Sequence, residues 1–204
     1  MKVVIASSNP GKLVELRGLL DASGIELVTQ SALGIEDAEE TGSTFVENAL
    51  LKARKAARES GLPALGDDSG LCVDALDGAP GLYSARYAGK HGDADANIDK
   101  LLRKLDRVAD EQRSAHFHCV VVLLRHADDP RPLIAEGSWH GRILTARRGT
   151  QGFGYDPIFL DVEQGQTAAE MDAGLKNRIS HRGQALVALK RALVGAHGVT
   201  MHTC

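Results

Sequence analysis

The chain has 204 residues, 43% of them hydrophobic, and a formal net charge of −3, enough apolar material for one sizeable core, either as one domain or as one domain with two lobes. The negative balance gives no general attraction to nucleic acid or anionic membrane, and the apolar run after Lys2 stops at Ser7, too soon for a signal-peptide core or a membrane span. A soluble, cytoplasmic protein is expected, and its three widely spaced cysteines, Cys72, Cys119 and Cys204, read as reduced thiols rather than a disulfide framework or a CxxC metal knuckle.

Val3-Val4-Ile5-Ala6 reads as a buried strand, and apolar residues at 13, 16 and 20 give helical spacing from Lys12 to Leu20. Ile25 to Val28 is a second strand, followed by an acidic connection from Ser31 to Gly42 that carries Glu36, Asp37, Glu39 and Glu40. Thr44-Phe45-Val46-Glu47 has the spacing of a capping box, positions 46, 49, 50, 53 and 57 make the apolar face of the helix it opens, and Gly61 closes it. The stretch ALGDDSG, 64–70, then reads as a short apolar strand leaving into a turn at Asp67 and Asp68. Leu71 to Val73 is again apolar, Gly78 to Gly81 is a turn, and a polar loop runs through Gly92. Ile98, Leu101, Leu102 and Leu105 make a helical stripe, and His116 to Leu124 and Leu133 to His140 are long strands that can pair through the turn at Asp128-Asp129-Pro130. A last helix is expected to begin near Ser180, with Leu186, Leu189 and Leu193 on one face. No repeat or linker divides the chain, so residues 1–194 are read as a single α/β domain and 195–204 as a flexible tail.

Four stretches carry chemistry. Ser7-Ser8-Asn9-Pro10-Gly11-Lys12 lies between the first strand and the first helix, where free N–H groups, the helix dipole and the Lys12 charge suit a phosphate. It is not a Walker A loop, since it has one glycine and Leu13 stands where a magnesium-binding hydroxyl would be; alone it reads equally as an ordinary strand-to-helix turn. Asp67 and Asp68 repel one another and need a cation, a proton or hydrogen bonds when buried; Mg2+ would supply the charge, and a solvated, capped turn is the alternative. The acidic run 36–40 offers a further carboxylate. In Gly152-Phe153-Gly154-Tyr155-Asp156-Pro157 two of the chain's few aromatic residues sit between glycines, either as stacking platforms with Asp156 beside them or as rings tucked onto the sheet. In Ser180-His181-Arg182-Gly183 two cationic side chains fall in the first turn of a helix, where the dipole disfavours them. With Lys176 upstream they suit an acceptor-rich ligand. His116 and His118, alternating on one strand face, read as a metal pair or, more simply, as a satisfied or exposed pair.

Taken in order, Ser7-Ser-Asn-Pro-Gly-Lys12, Glu40-Thr-Gly-Ser-Thr-Phe-Val-Glu-Asn-Ala49, Asp67-Asp-Ser-Gly70, Gly78-Ala-Pro-Gly-Leu-Tyr-Ser-Ala-Arg86, Phe153-Gly-Tyr-Asp156 and Ser180-His-Arg-Gly183 resemble the inosine/xanthosine triphosphate pyrophosphatase family, also called HAM1-like. The resemblance runs from the first strand to the final helix. It implies an α/β fold, an elongated mixed β-sheet flanked by helices in two lobes with the active-site cleft between them. It further implies hydrolysis of ITP, dITP and XTP to the monophosphate and pyrophosphate, with Mg2+, by a cytoplasmic homodimer that cleanses the nucleotide pool. On the matching positions, Asp68 is expected as catalytic base and metal-linked carboxylate, and Ser69 as a substrate contact. Ser7, Ser8, Asn9, Pro10, Gly11 and Lys12 are expected to bind phosphate, and Phe153, Gly154, Tyr155, Asp156, Lys176, His181 and Arg182 to bind the nucleoside. Glu39 is expected as the second metal-linked carboxylate, with Glu36 and Glu40 close by. Ser8 departs from the glycine found in many relatives. A nucleotide-binding regulator without turnover, a phosphatase releasing orthophosphate and an RNA-binding module are the competing classes.

Overall fold

The computed structural model describes residues 2–20 and 25–197. Among these described residues, seven strands, β1 (Lys2–Ala6), β2 (Glu26–Thr29), β3 (Ala64–Val73), β4 (Ser114–Leu124), β5 (Leu133–Ile143), β6 (Phe159–Asp161) and β7 (Gln166–Thr167), accompany five α-helices, α1 (Pro10–Leu20), α2 (Phe45–Ser60), α3 (Ala94–Lys104), α4 (Ala173–Ile179) and α5 (His181–His197). The strands form one sheet in the order β2-β1-β3-β4-β5-β6-β7. It is mixed: β1 pairs in parallel with β2 and β3, whereas β5–β6 and β6–β7 are antiparallel. The expected α/β class and mixed sheet are therefore present. Among the described residues no helix is long and apolar enough to cross a membrane.

The chain divides into two compact units, one formed by residues up to Asp68, 119–137 and from Arg182 onward, the other by 69–118 and 138–181. In the first unit β1 is buried on both faces, as its unbroken apolar run requires. Val3 and Ile5 pack with Leu16 and Leu20 of α1 and Ala185, Leu186 and Leu189 of α5. Val4 and Ala6 face the other way, onto Ala49, Ala53, Ala56 and Ala57 of α2. Helix α2 has the capping box read from the sequence, with Thr44 and Glu47 bonding reciprocally, and ends at Gly61 in the left-handed conformation. Its alanine face lets it approach closely: a Cβ on Gly66 of β3 would lie 2.4 Å from the Ala49 carbonyl oxygen. The second unit is built around Phe117, Trp139 and Phe159, with ring centroids 4.6 Å apart for Phe117 and Phe159 and 5.0 Å for Trp139 and Phe159. The Trp139 indole N–H donates to Asp161 at 2.7 Å, which satisfies its buried polar edge.

One boundary differs from the sequence reading. ALGDDSG contains no turn: β3 continues unbroken through Asp67 and Asp68 to Val73. Adjacent strand residues point to opposite faces, so the two carboxylates do not confront each other, and each meets its own cations. The last helix begins where expected: α5 starts at His181, directly after Ser180, which is also the C-cap of α4, whose N-cap is Asp172. Helix α5 runs to His197, into the segment expected to be a tail, and residues 198–204, with Cys204, lie outside the described residues. Among the described residues neither Cys72 nor Cys119 is in a disulfide, and the second is fully buried.

Candidate active site

The parallel register sets Ala6 opposite Gly66, so β1 and β3 run level into Ser7 and Asp67. The loop after β1 is fixed by its own side chains. Asn9 N–H donates to Ser7 Oγ at 3.2 Å, and Asn9 Oδ1 accepts from the Lys12 N–H at 3.1 Å, an N-cap with Pro10 in the first helical turn. Gly11 follows, and Lys12 reaches across to Asp67, Nζ to Oδ1 at 3.1 Å. The other oxygen of Asp67 accepts from Arg182 Nε and Nη2 at 3.3 and 3.2 Å, while Arg182 Nη1 donates to Glu15 of α1. Arg182, expected to contact nucleoside, is thus buried within the first unit between two carboxylates, which also removes the cost of a cation near a helix N-terminus.

The opposite face of β3 carries a different set. Lys52 of α2 donates to Asp68 Oδ1 at 2.7 Å, to Glu40 Oε1 at 2.6 Å and to the Asp67 carbonyl oxygen at 3.2 Å. Asn48, one turn earlier, donates to Asp68 Oδ2 at 3.4 Å and accepts from Gly42 N–H at 2.8 Å, tying the acidic loop to the strand. Glu39, the expected second carboxylate, is exposed, whereas Glu40 is half-buried and shares Lys52 with Asp68; the geometry favours Glu40.

The two aspartates differ electrostatically. Burial alone would raise Asp67, but Lys12, Arg182 and Lys52 outweigh it and hold that carboxyl well below the usual carboxylate range. Burial pushes Asp68 up, with Lys52 and Lys12 only partly opposing it and Glu40 adding to the rise. Lys52 is desolvated too, yet Asp68, Glu40 and Asp67 overcome that and raise it, so it stays an ammonium.

In the second unit a smaller polar cluster forms. Asp156 Oδ2 accepts from Lys176 Nζ at 2.6 Å and from the Phe153 N–H at 2.8 Å, and the Lys176 ammonium lies 5.1 Å from the Phe153 ring centroid. Gly152, at φ +75°, is required here, because a Cβ would fall 2.0 Å from Asp156 Oδ2. Gly154, at φ +62°, completes the turn. His181 is buried and stacks on Phe117, centroids 4.8 Å apart and planes 14° apart. Phe153 is half-buried and remains a candidate platform, but Tyr155 is not one: its ring is in the core and its hydroxyl donates to the Ser84 carbonyl oxygen at 2.9 Å. Ser69 is half-buried on β3. His118 bonds Ser138 at 3.0 Å and His116 lies against His140, so these histidines read as a satisfied strand face.

Sequence reasoning missed Lys52, Asn48, Glu15 and Phe117. A lone lysine or asparagine on an amphipathic helix ordinarily reads as solvated; the available signal was that Asn48 and Lys52 are four residues apart and therefore share a helix face. No group of three or more His, Cys, Asp or Glu side chains converges among the described residues. Asp68 and Glu40, however, close on a single cationic atom within 2.7 Å, a two-carboxylate donor set of the kind Mg2+ uses when waters and phosphates complete its shell.

The α/β fold with a mixed sheet, on whose inner strand β3 two lysines and an arginine from three helices meet paired carboxylates, is an arrangement with the charges that a phosphorylated ligand requires. The chain belongs to the Ham1 family, whose sequence profile matches residues 3–192. It is 61% identical over 191 residues, 94% of this chain and 96% of the relative, to a dITP/XTP pyrophosphatase from Xanthomonas campestris pv. campestris. Its fold is similar to the solved structure of a HAM1 protein from Coxiella burnetii, with a TM-score of 0.87 and 50% identity over 96% of this chain and 99% of the other. It is also similar to a nucleoside-triphosphatase / dITP/XTP pyrophosphatase from Mycobacterium abscessus, with a TM-score of 0.73 and 43% identity over 95% of this chain and 100% of that one.

Proposed function

We propose that the chain is an enzyme that hydrolyses ITP, dITP and XTP to the nucleoside monophosphate and pyrophosphate, clearing them from the nucleotide pool. The observation that carries this reading is Asp68, a carboxylate raised by burial and set beside Lys52 and Glu40 on a strand whose neighbouring position anchors Lys12. Relatives at 57–61% identity carry the name dITP/XTP pyrophosphatase, which supports the substrate class.

Lys12 and the N–H groups of residues 7–12 hold phosphate oxygens. Ser69, next to Asp68 on β3, is a further substrate contact. Asp68 and Glu40 are the residues that would hold Mg2+, which would supply neutralisation of the triphosphate charge and polarisation of the bond to be broken. Asp68 accepts the proton of the water that attacks the α-phosphorus, and pyrophosphate leaves as one unit. Phe153 supplies a stacking face for the base, and His181 donates to its 6-keto oxygen. An adenine 6-amino group would set donor against donor, a penalty that separates the substrates from ATP. Arg182 acts at one remove, by fixing Asp67 and through it Lys12. The working form is a cytoplasmic homodimer, for which sedimentation equilibrium should return twice the chain mass.

The test is incubation of the protein and an Asp68→Asn variant with Mg2+ and, separately, ITP, dITP, XTP, ATP and GTP, with pyrophosphate and orthophosphate assayed independently. Pyrophosphate from the first three substrates, lost in the variant, is the expected result. Orthophosphate, or nucleotide binding without turnover, overturns it.

A further inference from the structure

Resting on that reading, we infer that Lys52 is the resident counter-ion of the Asp68–Glu40 pair and gives way only to a metal that arrives with a nucleotide. An ammonium has three hydrogens, and Lys52 has three acceptors: Asp68 Oδ1 at 2.7 Å, Glu40 Oε1 at 2.6 Å and the Asp67 carbonyl oxygen at 3.2 Å. The side chain is aimed by fixed backbone, because α2 lies against Gly66 too closely to admit a Cβ there, and it is only 13% exposed. Lys52 is therefore an internal cation at the point where the two carboxylates converge.

This arrangement sets an order of binding. A divalent ion arriving alone must displace an ammonium from all its partners in a site that offers it little water, and the other nearby lysine, Lys12 of α1, is already engaged by Asp67. When metal and triphosphate arrive together, the phosphate oxygens accept Lys52 while the carboxylates take the metal, and no charge is left unpaired. Metal and nucleotide affinities are then coupled, each raising the other by the same factor. The free protein binds divalent ions weakly, so the acidic pair is protected from idle occupancy.

Mn2+ serves as the probe, followed by electron paramagnetic resonance with and without an α,β-methylene analogue of ITP, in the wild-type protein, Lys52→Met and Lys52→Arg. Lys52→Met removes one positive charge in contact with both ligands, so its affinity for Mn2+ alone should rise by about tenfold or more, while its affinity for the analogue falls. Those opposite signs are not what a loosened fold produces. Lys52→Arg, which keeps the charge, should stay near wild type for Mn2+ alone. In the wild type the analogue should tighten Mn2+ binding by about tenfold or more, a coupling of ordinary allosteric size or larger, and the gain should shrink in Lys52→Met. Unchanged or weaker Mn2+ binding by a folded Lys52→Met overturns the inference. So does a wild-type protein that binds Mn2+ as tightly alone as with the analogue, a comparison that stands even if the variant does not fold. Tighter Mn2+ binding by Lys52→Met, with no analogue bound by either protein, upholds the counter-ion and overturns the pyrophosphatase reading instead.

Discussion

The two faces of β3 handle the same functional group in opposite ways. On one, Asp67 is over-supplied with cations, Lys12 and Arg182 both in contact, and it is held firmly ionised. On the other, Asp68 shares Lys52 with Glu40 and is pushed toward its protonated form. Strand alternation alone separates them, since adjacent residues on a strand point to opposite faces and enter different environments. The difference teaches that a run of like charges need not be one site. Asp67 is an anchor for cations that other elements bring in, and Asp68 is the group whose proton affinity is adjustable.

Asparagine at each position should break this comparison in opposite directions. Asp68→Asn should lower kcat by roughly 10²–10⁴-fold, the usual contribution of a positioned general base, measured as pyrophosphate release from ITP. Its melting temperature should hold or rise. The folded value of Asp68 lies above its ordinary 3.8, so the ionised carboxyl costs stability at neutral pH and the amide removes that cost. Asp67→Asn should do the reverse to the fold. It leaves Lys12 and the buried Arg182 short of a carboxylate, and losing one partner of a buried pair costs roughly 3–5 kcal/mol, or roughly 10 °C in Tm for a chain of this size. Differential scanning calorimetry reads both, and equal melting temperatures for the two variants would erase the distinction.

Much of this was legible in the sequence where local rules dominate. The capping box at Thr44, the Gly61 stop, the doubly buried β1 and the leucine face of α5 follow from periodicity and cap chemistry, and they came out as read. The motif order also carried the family. What failed did so where a contact joins distant residues. The Asp67-Asp68 turn follows from the local pattern of an apolar run ending in Asp-Asp-Ser-Gly, but the charges that let the strand continue come from positions 12, 52 and 182, which sequence spacing does not bring together. The glycines around Tyr155 leave it open between a stacking platform and a ring tucked onto the sheet, and the Ser84 carbonyl, distant in sequence, decides it by giving the hydroxyl an internal partner and letting the ring enter the core. Glu39 and Glu40 differ only in which way an irregular loop turns them, and no periodicity fixes that.

The pH dependence sharpens the same contrast. Because Asp68 is raised, the acid limb of kcat/KM should lie above the ordinary carboxylate value of 3.8. Lys52 is the largest influence opposing that rise, so Lys52→Met should move the limb further toward neutral pH; a downward movement contradicts the assignment. Stability follows Asp67 instead. Its folded value is depressed, so its contribution is fully present above about pH 4, near its ordinary value, and is lost as pH falls toward the folded one. Urea midpoints should therefore decline on the acid side in the wild type and decline less in Asp67→Asn. Tyr155→Phe belongs to neither face and should cost about 1 kcal/mol, the net worth of one hydrogen bond, with no change in the acid limb.

The smallest effect is expected at Ser8, in the loop between β1 and α1. Its hydroxyl donates to Asp37, which also accepts from Gln30, so the serine links the phosphate loop to the acidic connection that carries Glu40. Both ends are exposed, and an exposed hydrogen bond of this kind moves stability by no more than about 0.5 kcal/mol. Its consequence lies in placement: Ser8→Gly frees the loop backbone and releases Asp37, loosening residues on the Asp68 face while leaving Lys12 bonded to Asp67. Ser8→Gly should therefore leave Tm and the acid limb unchanged and alter KM for ITP by a few-fold at most. A larger loss, in kcat as well as KM, would mean that the acidic connection is held in place mainly by this one side chain, and that the two faces of β3 are linked through the loop as well as through the strand.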